Sequence, residues 1–276
     1  MRSYSVSDYD AGVQNWSIVQ DERGMMYFGN NSGLLEFDGN TWKLYELPTK
    51  GIVRAVYIGK NGKIYVGSYE EFGYFIRTPY NTLEYYSLKN DVKDFVFHND
   101  EIWNIVCVQG EIVFQSFGSL FFYNGSSVEG IRLKELPLNL FQVGDTFYSQ
   151  RINGGLCVFS DRTLKELVPR RMFEDSDVLA GLPYGDAVLM LTRNKGGFLY
   201  QNGAVEKWQT ECDDIFRKHT INRAVMTKDS CYILGTISSG IYALDKQGRL
   251  LWKVNTDNKL QNNTVLKLYC DEDNNI

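Results

Sequence analysis

A glycine returns along this chain at Gly33, Gly73, Gly118, Gly155, Gly197 and Gly240, at intervals of roughly forty residues, and self-similarity at that period is the signature of a repeat architecture. Each glycine opens a short apolar or aromatic run: NNSGLLEF, EEFGYFI, SFGSLFFY, INGGLCVF, NKGGFLY and ISSGIYAL. On either side of these runs the apolar residues alternate with period two, as in Trp42-Lys43-Leu44, which makes strands and not helices. Asp38-Gly39, Asn61-Gly62, Asn124-Gly125 and Asn202-Gly203 supply the residues that tolerate positive φ, as tight hairpins require. Two hairpins in series make a four-stranded antiparallel meander, the size of one blade of a β-propeller.

The expected fold is therefore all-β, a β-propeller of four-stranded antiparallel blades occupying residues 1–276 as a single domain. Blades are expected at about 14–47, 52–88, 101–136, 140–168, 178–208 and 221–254. Residues 92–98 and 211–218 read as connectors, the second with one helical turn. From Thr264 onward the chain repeats the layout found after Trp16, strand then acidic turn then strand start, with Asp271 falling on Asp21. This predicts a truncated seventh blade at 264–276, with Ser3-Tyr4-Ser5-Val6 as its outermost strand closing the ring, and a chain that is a fragment of something longer. Closure matters because an open ring exposes strand edges that invite pairing with another chain.

Composition narrows the classes. Hydrophobic residues make up 43% and aromatics 14% of the 276 residues, enough for a large core. No run approaches the apolar length of a membrane span, and the N-terminal MRSYSVSDYDAG has no apolar core of a signal peptide. A net charge of −5 argues against nucleic-acid binding, which needs a basic face to displace counterions. The 5 cysteines, Cys107, Cys157, Cys212, Cys231 and Cys270, include no CxxC pair, and the three within strand-like runs read as small buried hydrophobes.

Several stretches resemble the two-component regulator propeller repeat: Gln14–Tyr45, Ile52–Phe75 and Ile221–Leu244, with looser likeness in the third to fifth blades. The resemblance implies the extracytoplasmic, periplasmic sensor of a bacterial membrane-spanning regulator, a hybrid histidine kinase or a helix-turn-helix protein. No output module lies in these residues, so the chain itself is expected to be non-catalytic and to work by binding. GIYALDKQGRLLWKVN, Gly240 to Asn255, is similar to the quinoprotein-type repeat, which keeps a propeller enzyme or assembly scaffold open as other readings.

Chemistry-bearing motifs are sparse. The 2 histidines, His98 and His219, lie in polar connectors without the converging third group that a metal site or a nucleophilic triad needs. Asp271-Glu-Asp-Asn-Asn offers oxygen ligands but not the spacing of a calcium loop, and no phosphate loop is present. No cofactor and no metal are expected.

Binding is the better prospect. In a propeller the lead-in to the first strand of each blade shares one channel mouth with the loop between its second and third strands. The lead-ins bring Trp16, Arg54, Trp103 and Arg223, with Arg54 and Arg223 at equivalent positions of the repeat. The loops bring Asn30, Asn31, Tyr69, Glu70, Arg151, Asn153, Arg193, Asn194 and Lys195. Arginine forks bind carboxylate or sulfate bidentately, and aromatic rings pack on sugar faces. The expected ligand is an acidic or sulfated oligosaccharide at Trp16, Arg54, Trp103, Arg151, Arg193, Lys195 and Arg223. Self-association through a propeller face or an open blade edge is the other expected partnership, and a scaffold that binds protein is the alternative role.

Overall fold

The structure, a computed structural model, describes residues 3–138 and 140–276. Strands form where the period-two runs lie, and each group of four pairs in chain order into one antiparallel sheet. The first blade contains β1 (Asn15–Gln20), β2 (Met26–Asn30), β3 (Gly33–Phe37) and β4 (Trp42–Tyr45); the second contains β5 (Ala55–Ile58), β6 (Ile64–Gly67), β7 (Phe72–Arg77) and β8 (Leu83–Ser87). The third contains β9 (Asn104–Val108), β10 (Glu111–Gln115), β11 (Ser119–Tyr123) and β12 (Val128–Arg132). The fourth contains β13 (Phe141–Val143), β14 (Thr146–Gln150), β15 (Leu156–Ser160) and β16 (Thr163–Val168). The fifth contains β17 (Val178–Tyr184), β18 (Ala187–Thr192), β19 (Gly197–Gln201) and β20 (Ala204–Trp208), and the sixth β21 (Ile221–Met226), β22 (Tyr232–Thr236), β23 (Ile241–Leu244) and β24 (Leu250–Val254). Six four-stranded blades are thus present, the all-β propeller architecture that the glycine period implies. Helix is confined, among the described residues, to α1 (Val6–Tyr9), α2 (Asp213–Lys218) and two single 3-10 turns.

The repeating glycine has a steric cause in most blades, though not at Gly118, where a Cβ would meet only Arg132 Nη1 at 3.8 Å. At Gly33 a Cβ would lie 2.4 Å from the Tyr45 carbonyl oxygen, and at Gly240 2.3 Å from that of Val254, with both residues at positive φ. The fourth strand of a blade crosses directly over the start of the third, leaving room only for a hydrogen. Positive φ is itself costly for an L side chain.

The chain divides into two compact units, one ending at Leu136 and the other running from Pro137 to Ile276. In the first, facing sheets bury two layers. Tyr27, Leu34, Val56, Val66 and Phe75 join the first and second blades, and Tyr65, Phe72, Ile105, Phe114 and Phe121 join the second and third. In the second unit, Tyr148, Leu156, Met190 and Phe198 pack the fourth blade on the fifth, and Leu189, Trp208, Phe216, Tyr232 and Leu234 pack the fifth on the sixth. The aromatic strands FGYF and LFFY turn rings into the core: Phe72 and Phe121 are both 0% exposed. Cys157 and Cys212 are buried and all five thiols are free.

The truncated seventh blade and its closing strand are corrected by the structure. Residues 264–276 form no ladder with any described strand. They lie on the sixth blade, where Val265 and Leu268 pack with Ile233 and Ala243, and the Val265 amide donates to the Thr236 carbonyl at 2.9 Å. The turn keeps the parallel with the first blade: Asp21 receives the Gly24 amide at 2.9 Å and Asp271 the Asn274 amide at 3.2 Å. A strand needs a continuous ladder for its amides, and the described residues supply isolated bonds here, such as that of Val265, without a ladder. At the other end, Ser5 opens a helical turn instead of joining a strand, because Ser5-Val6-Ser7-Asp8 is a capping box. The Ser5 amide and hydroxyl donate to the Asp8 carboxylate at 2.5 Å and 2.7 Å.

Candidate ligand-binding site

In the unit ending at Leu136 the structure brings three of the expected residues together. Trp16 lies on β1, while Arg54 and Trp103 each stand one residue before a first strand and already hydrogen-bond its neighbour, with amides donating to Gly67 at 2.8 Å and Gln115 at 2.9 Å. The ladder therefore fixes their backbones. The Arg54 guanidinium carbon lies 3.9 Å from the centroid of the Trp16 ring and 4.8 Å from that of Trp103. The two indoles meet edge to face, 6.3 Å apart at 84°. A cation over an indole face is worth about 0.5–2 kcal/mol depending on desolvation.

The cluster is internally neutralised and yet incomplete in hydrogen bonds. Arg54 Nε donates to Glu101 Oε1 at 2.7 Å, and Trp16 Nε1 donates to Asn31 Oδ1 at 2.7 Å. Arg54 Nη1 and Trp103 Nε1, by contrast, are buried with no acceptor among the described residues. Orphaned buried donors cost about 1–3 kcal/mol each. Beside Trp103 stands the exposed Phe117, 5.5 Å away, and the exposed Tyr69 forms a β-bridge with Glu101 while its hydroxyl donates to Asn99 Oδ1 at 2.7 Å. These two are 51% and 53% exposed, respectively. Asn30 has a structural duty, bonding Gly12 through both ends of its amide at 2.9 Å and 2.7 Å.

In the unit from Pro137 the expected cations are mostly claimed by carboxylates. Arg151 pairs with Glu166, and burial holds the neighbouring Cys157 thiol above its usual range despite the guanidinium beside it. Arg193 pairs with Asp177 at 3.1 Å, a carboxylate it shares with Arg170 at 3.0 Å. Lys195 reaches Glu174 at 3.9 Å. Arg223 differs. Its Nη1 donates to the Asn222 carbonyl at 2.8 Å, it has no carboxylate partner among the described residues, and burial pulls it below the ordinary guanidinium range.

Arg54 and Arg223 do not occupy equivalent places, although IVRAV and INRAV align. Ala55 pairs with Gly67, whereas Arg223 itself pairs with Gly235. The first strand of the sixth blade is one residue shorter between arginine and turn, and a one-residue slip sends a side chain to the opposite face. The packing agrees. Ala224 and Met226 belong to the layer against the fifth blade, while Val225 belongs to the layer with Val265 and Leu268. Alternation puts Arg223 on that second face.

Sequence reasoning missed Glu101, Phe117 and Lys267. Lys267 carried a signal: the repeat places it on Ser17, a residue 6% exposed, where a lysine is out of character.

The six four-stranded sheets define a β-propeller. No known family profile matches the chain and no curated protein matches it. Among solved structures it is similar to the extracellular domain of the hybrid two component system BT4673 from B. thetaiotaomicron, at 16% identity and a TM-score of 0.74 over 96% of this chain and 36% of that one. The chain thus spans little more than a third of that relative. It is also similar to virginiamycin B lyase from Staphylococcus aureus, at 11% identity and TM-score 0.67 over 91% of this chain and 87% of that one. The WD40 propeller domain of Doa1 gives 10% identity and TM-score 0.61 over 89% and 83% of the two chains. At such identities the likeness establishes the propeller fold. No helix among the described residues is long and apolar enough to cross a membrane.

Proposed function

We propose that this chain is a non-catalytic ligand-binding propeller, the extracytoplasmic sensor part of a bacterial transmembrane regulator, and that it binds an oligosaccharide at Trp16, Arg54 and Trp103. The observation that carries the reading is the pair of orphaned donors, Arg54 Nη1 and Trp103 Nε1, set beside Trp16 and the exposed ring of Phe117. Sugar hydroxyls accept from such donors, and the flat apolar faces of pyranose rings pack on aromatic side chains. Glu101 already neutralises Arg54, so this face favours sugar hydroxyls as the anchoring groups. The acidic substituents expected from the sequence would be met elsewhere.

The likeness to the BT4673 extracellular domain supports the sensor role. A catalytic role by likeness to the lyase finds less support. One structure of that enzyme is of a variant made catalytically inactive by replacing a histidine with alanine. In this chain His98 is exposed and His219 Nδ1 shares a 2.7 Å hydrogen bond with Ser238. Among the described residues no three His, Cys, Asp or Glu side chains converge.

The test is tryptophan fluorescence titration of the chain with a panel of neutral and acidic oligosaccharides, backed by thermal shift. Saturable quenching by one class, lost in Trp103→Ala and Arg54→Met, is the expected result. Quenching that persists in both variants, or none from any sugar, overturns the assignment. A ligand that binds only the folded state raises Tm with concentration.

A further inference from the structure

We propose that Arg223 and Lys267 form a binding site for a small oxyanion, a sulfate, phosphate or carboxylate group, where residues 264–270 lie against the sixth blade. The site is built from backbone held on both sides. The Asn222 side-chain amide donates to the Val265 carbonyl at 2.7 Å, and the Val265 amide donates to Thr236 at 2.9 Å. Gly235, the ladder partner of Arg223, is so tightly covered that a Cβ there would lie 2.5 Å from Val265 Cγ1. Arg223 and the segment bearing Lys267 are thereby fixed together, Arg223 one residue beyond Asn222 and Lys267 two beyond Val265 in their shared hydrogen bond.

Neither cation has a carboxylate partner among the described residues. Arg223 spends one nitrogen on the Asn222 carbonyl, and the Lys267 ammonium has no hydrogen bond to any of them. Both are half-buried, enclosed enough to lose part of their hydration. Every other arginine or lysine expected at a binding face has an acidic partner: Arg54 with Glu101, Arg151 with Glu166, Arg193 with Asp177 and Lys195 with Glu174. Two like charges in one partly desolvated place are unfavourable for folding. Burial first and the Arg223 charge second push the Lys267 ammonium down to about 8. Cys231 and Cys270 stand beside the same elements, but only Arg223 acts on Lys267. An oxyanion removes this conflict, because it neutralises both charges and accepts from the guanidinium fork and the ammonium together. The inference does not rest on the sugar reading, whose residues belong to the other unit.

The experiment is isothermal titration of the whole 276-residue chain with inorganic sulfate at constant ionic strength, with chloride as the blank. One saturable site is expected, weakened at least tenfold by Lys267→Met and by Arg223→Gln, a loss of about 1.4 kcal/mol or more. Arg223→Lys keeps the charge without the fork and should fall between. A second readout is the NMR titration of the Lys267 ammonium, which sulfate should raise towards the ordinary lysine range. Competition by glucuronate would identify a sugar carboxylate as the natural group, and its failure a free inorganic ion. No sulfate binding, equal binding in the folded variants, or an ammonium titration that sulfate leaves unmoved overturns the proposal.

Discussion

The Arg54 guanidinium is flanked by the Trp16 ring, 3.9 Å from its centroid, while its Nε holds Glu101 at 2.7 Å. Ring, cation and carboxylate come from three different blades, so this cluster ties the first unit together as well as offering a face to a ligand. Removing the carboxylate alone leaves a partly buried cation uncompensated. Glu101→Ala should therefore destabilise by about 1–3 kcal/mol, while Arg54→Met, which keeps packing on the indoles, should cost less. Urea denaturation of the two variants checks the order, and a more stable Glu101→Ala would contradict it.

Gly240 and Gly39 both have positive φ, but only Gly240 is crowded. A Cβ at Gly240 meets the Val254 oxygen at 2.3 Å, whereas at Gly39 nothing lies within 4 Å. Both alanine variants bear the backbone strain, about 1 kcal/mol, and Gly240→Ala must also push the fourth strand away. The expected loss at Gly240 is about 2–4 kcal/mol, against about 1 kcal/mol at Gly39. Thermal melts of the pair would show whether steric exclusion, and not backbone freedom alone, imposes the repeating glycine.

That contrast also shows what the sequence could convey. The period of the glycine and the alternation around it are set by local sterics and by burial of one face, so six blades are legible without coordinates. Ser3–Val6 misleads because a capping box and a strand end look alike in a four-residue window, and only the Asp8 carboxylate decides between them. The false equivalence of Arg54 with Arg223 turns on one residue of strand length, which a sequence match cannot see and a ladder register can. At the candidate site the residue types are legible but their partners are not. Glu101, Glu166, Asp177 and Glu174 pair with the expected cations from distant or unaligned positions, and pairing is what separates an available cation from a spent one.

Glu36 is 2% exposed and pairs with Arg77, which also donates to the Tyr27 hydroxyl at 2.9 Å. The pair joins β3 of the first blade to β7 of the second. Arg77→Met leaves a buried carboxylate without its counter-charge, an expected loss of about 3–5 kcal/mol. Converting both residues to a neutral pair, Glu36→Gln with Arg77→Met, should recover part of that loss, since the charge that needed compensation has gone. A double-mutant cycle in urea measures the coupling, and strict additivity would remove the pair from the account of this interface.

Lys267 makes the stability of the chain depend on pH in an unusual direction. Burial and the Arg223 charge lower its ammonium from the ordinary lysine value of 10.5 to about 8. Between those values the unfolded chain binds more protons at this residue than the folded one, so this group's contribution makes stability rise with pH across the window. Below about 8 both states are protonated and the folded chain bears the full cost of the buried charge. Lys267→Met should therefore be more stable than the parent at pH 7, and the difference should shrink as pH rises towards 10. Arg223→Gln should move the same ammonium upward by removing the like charge. Chemical denaturation of parent and variant at pH 7, 8.5 and 10 isolates the lysine, because tyrosines and other lysines that titrate near the top of the range are common to both. A difference that stays constant with pH would mean that Lys267 keeps its proton throughout, and the electrostatic conflict with Arg223 would then be absent.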